Sequence, residues 1–211
     1  ETRRTQFSWQ NEYDSGPRSS ISFGLDYYTE TGSSRNAWNE RRHDTGLFAA
    51  WAFRPGRWRL QAAGRFDDNS RFGSEATGQL AAGFSPGGGW EVSGSFGSAF
   101  RGPNLNEQYS PGFGGLFAGN PDLDPESSTT AEVGVRWRHD AGALSAFFQR
   151  TDVDDLISFS GENFSAVNID TARLEGVELA AQWRRGGWNL EASLTLQSAE
   201  DRGTGDALLR R

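Results

Sequence analysis

The chain has 211 residues, of which 35% are apolar, yet it carries eight Trp, fifteen Phe and 27 Gly. Its formal charge of −7, with arginines scattered or paired as at Arg41–Arg42 and Arg184–Arg185, argues against a nucleic-acid partner, which needs clustered positive charge. Cysteine is absent, which removes disulfides, thiol nucleophiles and cysteine metal sites.

No apolar run approaches the roughly 18 residues a membrane helix needs; the longest is Leu47–Phe53. A membrane β-barrel remains open, because its signal is alternation and its mean hydropathy is low. Aromatic enrichment without a matching rise in aliphatics suits surfaces that meet an interface. A chain that begins at Glu1 and contains no Met reads as an excised segment.

In chain order, apolar residues recur at every second position. Phe7, Trp9 and Tyr13 alternate with Gln6, Ser8, Gln10 and Glu12, and Ile21, Phe23, Leu25 and Tyr27 with Ser22, Gly24 and Asp26. Leu47–Phe53 is apolar on both faces, so its phase is open. Trp58, Leu60, Ala62 and Phe66 follow, then Leu80, Ala82 and Phe84, then Trp90, Val92 and Phe96. Val133, Val135 and Trp137 precede a second segment of open phase, Ala143–Phe148. Val177, Leu179, Ala181 and Trp183 come next. The last run, Trp188–Gln197, puts Trp188, Leu190, Ala192, Leu194 and Leu196 on one face. These segments predict ten strands.

Two kinds of connection alternate strictly. Short ones are predicted at Asp14–Ser19, Arg54–Arg57, Ser85–Gly89, Arg138–Gly142 and Arg184–Gly187, each holding Gly as tight turns require. Long polar ones are predicted at Glu30–His43, Asp67–Ala76, Ser98–Ser128, Val153–Ala172 and Ala199–Leu208. Short turns at one rim and long loops at the other are the arrangement of an up-and-down outer-membrane barrel. A soluble β-sandwich, the competing all-β reading, would mix turn lengths. Trp58, Trp90, Trp183 and Trp188 fall beside the short turns, where an interfacial aromatic girdle would sit; isolated strand-end packing is the plainer alternative for any one of them.

The most specific feature is Phe100–Glu126. It contains Phe100, Arg101, Pro103, Leu105 and Tyr109, followed by Asn120, Pro121, Leu123, Pro125 and Glu126. This pair of motifs resembles the F-[KR]-x-P-x-L-x-x-x-Y and N-P-x-L-x-P-E signature of TonB-dependent outer-membrane receptors. Gly64–Gly73, Val153–Phe159, the N-x-x-x-A-x-x-x-G-V-E pattern within Val167–Leu179, and Leu208–Arg211 extend the likeness from about residue 20 to the end. The vitamin B12 (cobalamin) branch is nearest, and siderophore receptors share most of these motifs.

The resemblance implies an antiparallel, up-and-down transmembrane β-barrel, with this chain as about ten strands of a probable barrel of about 22. Residues 1–211 would form a partial receptor barrel domain without plug, TonB box or terminal strands, an open wall with exposed edges. It further implies a Gram-negative outer membrane, contact with its lipid, and a plug domain and TonB as partners in the full-length protein. Substrate, a corrinoid or iron chelate, would bind the outer loops. A passive porin or an adhesin barrel is the alternative.

Candidate substrate contacts are Tyr109, Phe113, Phe117, Asn120 and Asp122, since aromatics can cover an apolar ligand face while Asn and Asp orient it. The competing reading has Pro103, Pro121, Pro125 and the glycines frame a rigid loop whose aromatics pack on themselves, and residues 103–107 suit one helical turn. Asp152, Asp154 and Asp155 lack the spacing of an EF-hand and read as a solvated loop face, as do Asp67, Asp68 and Asn69. His43 and His139, expected at opposite rims, cannot share a metal. Inward Arg59, Arg65, Arg136, Arg138 and Arg184 and Glu91, Glu132, Glu178 and Glu191 would line the lumen. No cofactor, metal site, nucleic-acid partner or enzymatic activity is expected.

Overall fold

The computed structural model describes residues 1–34 and 37–208 and, for Asp170, the backbone alone. Of the Leu208–Arg211 motif, residues 209–211 lie outside the described residues. The strands are β1 (Thr2–Gly16), β2 (Ser19–Ser34), β3 (Trp38–Phe53), β4 (Trp58–Asn69), β5 (Gly73–Gly87) and β6 (Trp90–Arg101). After the short helix α1 (Leu105–Tyr109) come β7 (Glu126–His139), β8 (Gly142–Ser160), β9 (Ser165–Arg185) and β10 (Trp188–Asp201). They form one 10-stranded sheet in sequence order, with every neighbouring pair antiparallel. β1 and β10 are its two edges, and every residue of β1 is exposed.

Because strand side chains alternate, the register sorts the whole sheet into two faces. On the outer face Val133 pairs with Phe148, Phe148 with Val177, and Val177 with Leu196. Leu25, Leu47 and Phe66 make an equivalent row on the first strands. This settles both open phases. Leu47, Ala49, Trp51 and Phe53 face outward with Leu25 and Phe66, and Leu144, Ala146 and Phe148 with Trp137 and Val133. Large apolar side chains on this face stay exposed, including Leu80, Phe96 and Leu190, which in water would be an aggregation surface and against acyl chains is a normal one.

The short-turn rim carries the aromatics predicted for it. Trp58, Trp90, Trp183 and Trp188 are all exposed on the outer face, joined there by Trp51 and Trp137. Trp51 Nε1 donates to Ser19 Oγ at 3.0 Å and Trp137 Nε1 to the Gly88 carbonyl at 3.2 Å. Each ring thus lies against the apolar band with its N–H directed to the polar turn.

The opposite rim departs from expectation. Of the predicted long connections, Glu30–His43 is mostly strand, since β2 runs to Ser34 and β3 resumes at Trp38. Asp67–Ala76 reduces to a turn between Asn69 and Gly73, and Val153–Ala172 to one between Ser160 and Ser165. β8 and β9 reach 19 and 21 residues, about twice what a tilted strand needs to cross a bilayer. Their upper parts continue the ladder with apolar and polar side chains mixed, such as Asp154, Ile157 and Phe159 in β8 and Val167 and Asn168 in β9, so no single apolar face marks them. β10 runs to Asp201, within the predicted Ala199–Leu208 connection, and among the described residues 102–125 is the one long loop between two strands.

Candidate functional site

The 102–125 loop folds back along the inner face of this rim and touches hairpins on both sides. One arm is α1, whose start is fixed by a capping box. Asn104 Oδ1 accepts the Asn106 and Glu107 amides, each at 2.9 Å, and a Glu107 carboxylate oxygen accepts the Asn104 amide at 2.8 Å. This is the helical turn expected near residues 103–107, shifted to Leu105–Tyr109. Leu105 is buried, and Pro103 accepts from Arg42 Nη1 through its carbonyl at 2.6 Å, while Arg42 also pairs with Glu30.

Arg101 ties the two halves of the signature together. Its Nε and Nη2 donate to the two oxygens of Glu126 at 2.7 and 2.8 Å, and its Nη1 donates to Glu107 at 3.0 and 3.1 Å. The planar guanidinium fork fits this bidentate geometry, which lysine could not reproduce. Glu126 in turn accepts the Ile157 amide at 2.6 Å, and the Asn120 amide donates to the Glu107 carbonyl at 2.8 Å.

The second arm packs against β8 and β9. Leu123, 4% exposed, joins Ile157 and Ala166 in a small core bordered by Phe159. Asn168 Oδ1 accepts the Asp124 amide at 3.0 Å, and its Nδ2 donates to the carbonyls of Asp124 and Asp155 at 3.0 and 2.7 Å. Two motifs distant in sequence therefore meet in one hydrogen-bonded joint. Between the arms the chain closes tightly, and a Cβ on Gly119 would lie 2.7 Å from the backbone at Gln108 and Ser110.

Above this root stands an aromatic tip. Phe113 and Leu116 exchange backbone hydrogen bonds of 2.8 and 3.0 Å around Gly114 and Gly115, whose φ values of 60° and 84° suit a two-residue hairpin turn. Phe113 is 88% exposed. Phe117 stacks on Phe164 with centroids 5.6 Å apart, and both are held at positive φ, 59° and 47°. For bulky residues that conformation costs about 1–3 kcal/mol each, so the surrounding loop must impose it.

The predicted contacts thus divide. Phe113, Phe117 and Asp122 are exposed at or near the tip. Asn120 serves the loop itself, since its Oδ1 accepts the Asp122 amide at 3.0 Å. Tyr109 leans on Trp38, centroids 5.8 Å apart, and lies 5.5 Å from the Arg71 guanidinium. Trp38, Arg71 and Phe164 were not anticipated. Phe164 had a visible signal, an aromatic in a polar turn, whereas Trp38 and Arg71 become neighbours only through the fold.

Beneath the loop, on the inner face, lies a pocket of about 350 Å³ lined by residues including Tyr28, Asp44, Arg65, Asp67, Asn69 and Phe72. Asp67 and Asn69 are 4% and 6% exposed, which overturns their reading as a solvated face; only Asp68, bonded to Ser74, remains at the surface. Arg65 bridges Asp26 and Asp67 at 2.8 and 2.6 Å, and Asn69 Nδ2 donates to Asp44 at 3.0 Å. Asp44 lies beyond the apolar band that begins at Leu47. Burial pushes its carboxyl above the usual range, the Asn69 hydrogen bond opposes this, and the Asp67 charge adds to it.

Other charges are accounted for nearby. Asp152 is engaged by Arg150 and Arg173 at 2.9 and 2.7 Å, and these two hydrogen bonds, Arg150's first, hold its carboxyl below the usual range. Of the inward pairs, Arg59 meets Glu91 and Arg184 approaches Glu191 at 3.8 Å. His43 and His139 do lie at opposite ends of the sheet, and no metal-holding group of His, Asp and Glu occurs among the described residues.

Comparison with known proteins agrees with this geometry. The vitamin B12 transporter BtuB of Photobacterium profundum is 28% identical across 100% of this chain, which spans 35% of that protein's length. The siderophore receptor PirA from Pseudomonas aeruginosa superposes with a TM-score of 0.78 at 22% identity, covering 94% of this chain and 42% of that one. A ferric enterobactin receptor variant from the same organism gives 0.80 at 18% identity, covering 98% and 37%. The TonB dependent receptor-like, beta-barrel family matches residues 1–210, and the chain belongs to that family.

Proposed function

We propose that this chain is the loop-bearing wall of an outer-membrane transporter that takes up a large nutrient, a corrinoid or a ferric siderophore, in a Gram-negative bacterium. The observation that carries the reading is the contrast inside the 102–125 loop, where an ion-paired root holds Phe113 and Phe117, the latter stacked on Phe164 of the β8–β9 turn, out toward the medium. A flat, partly apolar ligand would lie on these rings, with Asp122 and exposed backbone groups orienting it. Coverage of only part of the relatives supports reading residues 1–211 as a partial barrel domain, with the plug and remaining strands elsewhere in the protein. In the complete receptor TonB would pull on the plug and release substrate through the lumen.

The direct test measures binding of cobalamin and of ferric siderophores to the complete receptor in bilayers. Saturable binding of one class, weakened about tenfold by Phe117→Ala, is the expected result, a loss of about 1.4 kcal/mol. Saturable binding that Phe117→Ala leaves unchanged would remove the tip from the site, and binding of neither class would favour a passive or adhesive barrel.

A further inference from the structure

The rim contains a notch that lies apart from the aromatic tip. β3 rises past its neighbour, because pairing with β4 stops at Asp44 opposite Asn69 while pairing with β2 continues to Trp38. The edge of β3 over Trp38–His43 therefore has no strand beside it on the β4 side. Ser70 caps the step, its amide donating to the His43 carbonyl and its hydroxyl accepting the His43 amide, each at 3.0 Å. α1 closes the inner side. Between them remains a pocket of about 270 Å³ whose walls include Glu40, Arg41, His43, Arg71, Gln108 and Tyr109.

Three features define what would fit. Arg41 and Arg71 form no ion pair with a described carboxylate, whereas Arg42 beside them is committed to Glu30. The Tyr109 ring, 5.5 Å from the Arg71 guanidinium, positions that cation without neutralising it. Gln108 is 2% exposed, and its Oε1 finds no donor among the described residues. A buried acceptor without a donor is rare, and a ligand hydroxyl would satisfy it. Arg41 and His43 stand on the same outer face as Thr45 and Leu47, whereas Glu40 stands on the inner one, so the notch spans the free edge of β3 above the apolar band.

We propose that this notch binds a phosphate monoester carried on a hydroxylated sugar ring. The phosphate, with about −1.5 to −2 charges near neutral pH, sits between Arg41 and Arg71, and a ring hydroxyl donates to Gln108 Oε1. Inorganic phosphate or a simple carboxylate would meet the arginines and leave Gln108 unserved. Glu40 disfavours a ligand that is anionic all round. The chemistry has two sources, a phosphorylated glycolipid headgroup of the surrounding leaflet or a free sugar phosphate. The first rests on the outer-membrane reading above, and the pocket chemistry does not.

The test titrates the complete, lipid-depleted receptor with inorganic phosphate, a hexose phosphate, and micelles of a phosphorylated glycolipid or its dephosphorylated form. The expected result is binding of the hexose phosphate, the phosphorylated glycolipid or both, at least tenfold tighter than inorganic phosphate. Arg41→Gln with Arg71→Gln abolishes that binding. Gln108→Leu lowers it to the level of inorganic phosphate and leaves inorganic phosphate unchanged. Binding of the glycolipid alone assigns the site to the leaflet, and equal binding of the hexose phosphate assigns it to a soluble ligand. Inorganic phosphate binding as tightly as either probe, or a double variant that binds like wild type, overturns the proposal. Cobalamin and siderophore binding, measured in parallel on the wild-type receptor, separates failure here from failure of the transport reading.

Discussion

The root and the tip of the 102–125 loop belong to one segment and obey opposite rules. At the root, Leu105, Glu107 and Leu123 are buried, and the Arg101 guanidinium closes a ring of charge-assisted bonds with Glu107 and Glu126. At the tip, Phe113 is 88% exposed and bridges only to Leu116 across its own hairpin. The recognisable motif residues lie almost entirely in the root. In this chain the signature therefore specifies the mounting of the loop, and the proposed ligand contacts at the tip, Phe113 and Phe117, lie outside it.

If the root is a mount, disturbing it should release the loop and leave the barrel wall intact. Leu123→Ala has the largest expected effect. It opens a cavity against Ile157, Ala166 and Phe159, at a cost of about 2–3 kcal/mol for this small cluster. Hydrogen exchange of the Asp124 and Ala166 amides should speed accordingly, with the amides of β6 and β7 below the rim unchanged. If the whole sheet loses protection together, loop and wall are one cooperative unit and the contrast fails.

Arg101→Ala comes next, at about 2 kcal/mol. It strands two largely buried carboxylates beside each other, and the figure is below that of a fully buried pair because Arg101 is 43% exposed. Exchange should quicken at the α1 amides and at Ile157, whose amide is held by Glu126. Arg101→Lys should recover less than half of the loss, because an ammonium cannot serve Glu126 through two parallel bonds. Full rescue by lysine would mean that charge alone matters and the fork geometry does not.

How much of this was legible depended on what each residue faces. Trp90–Phe96, Val133–Trp137 and Trp188–Leu196 announce themselves, because one side meets an apolar medium and the other does not. Glu30–Ser33 and Trp38–His43 are equally good strand, but apart from Trp38 they are polar on both sides, so the same criterion reads them as loop. Asp67 and Asn69 look like any acidic turn in sequence. Their burial arises only because Arg65, Asp44 and the overlying loop converge on the inner face. Likewise Pro103, Leu105 and Leu123 were visible as a motif, whereas the closure of Arg101 on both Glu107 and Glu126 is a long-range fact. Tyr109 reads in sequence as a candidate contact because an aromatic can cover a ligand face; Trp38 and Arg71 are remote in sequence, and the fold places both against its ring.

Phe113→Ala has the smallest expected effect on stability and is the sharpest test of the contrast. The ring contributes little burial, so the folded state should change by no more than about 0.5 kcal/mol, and exchange at the root should be unaltered. Binding of the proposed corrinoid or ferric siderophore ligand should nevertheless weaken about tenfold, since an exposed aromatic platform contributes mainly when a ligand covers it. Phe113→Tyr and Phe113→Leu divide the cause. Tyr keeps the flat ring and should bind like wild type, while Leu keeps much of the apolar area without the face and should recover only part of the loss. Equal recovery by both would reduce the tip to a greasy contact. No loss with Ala would move recognition down to the Phe117–Phe164 stack, where two strained backbones, one in this loop and one in the β8–β9 turn, set a surface before any ligand arrives.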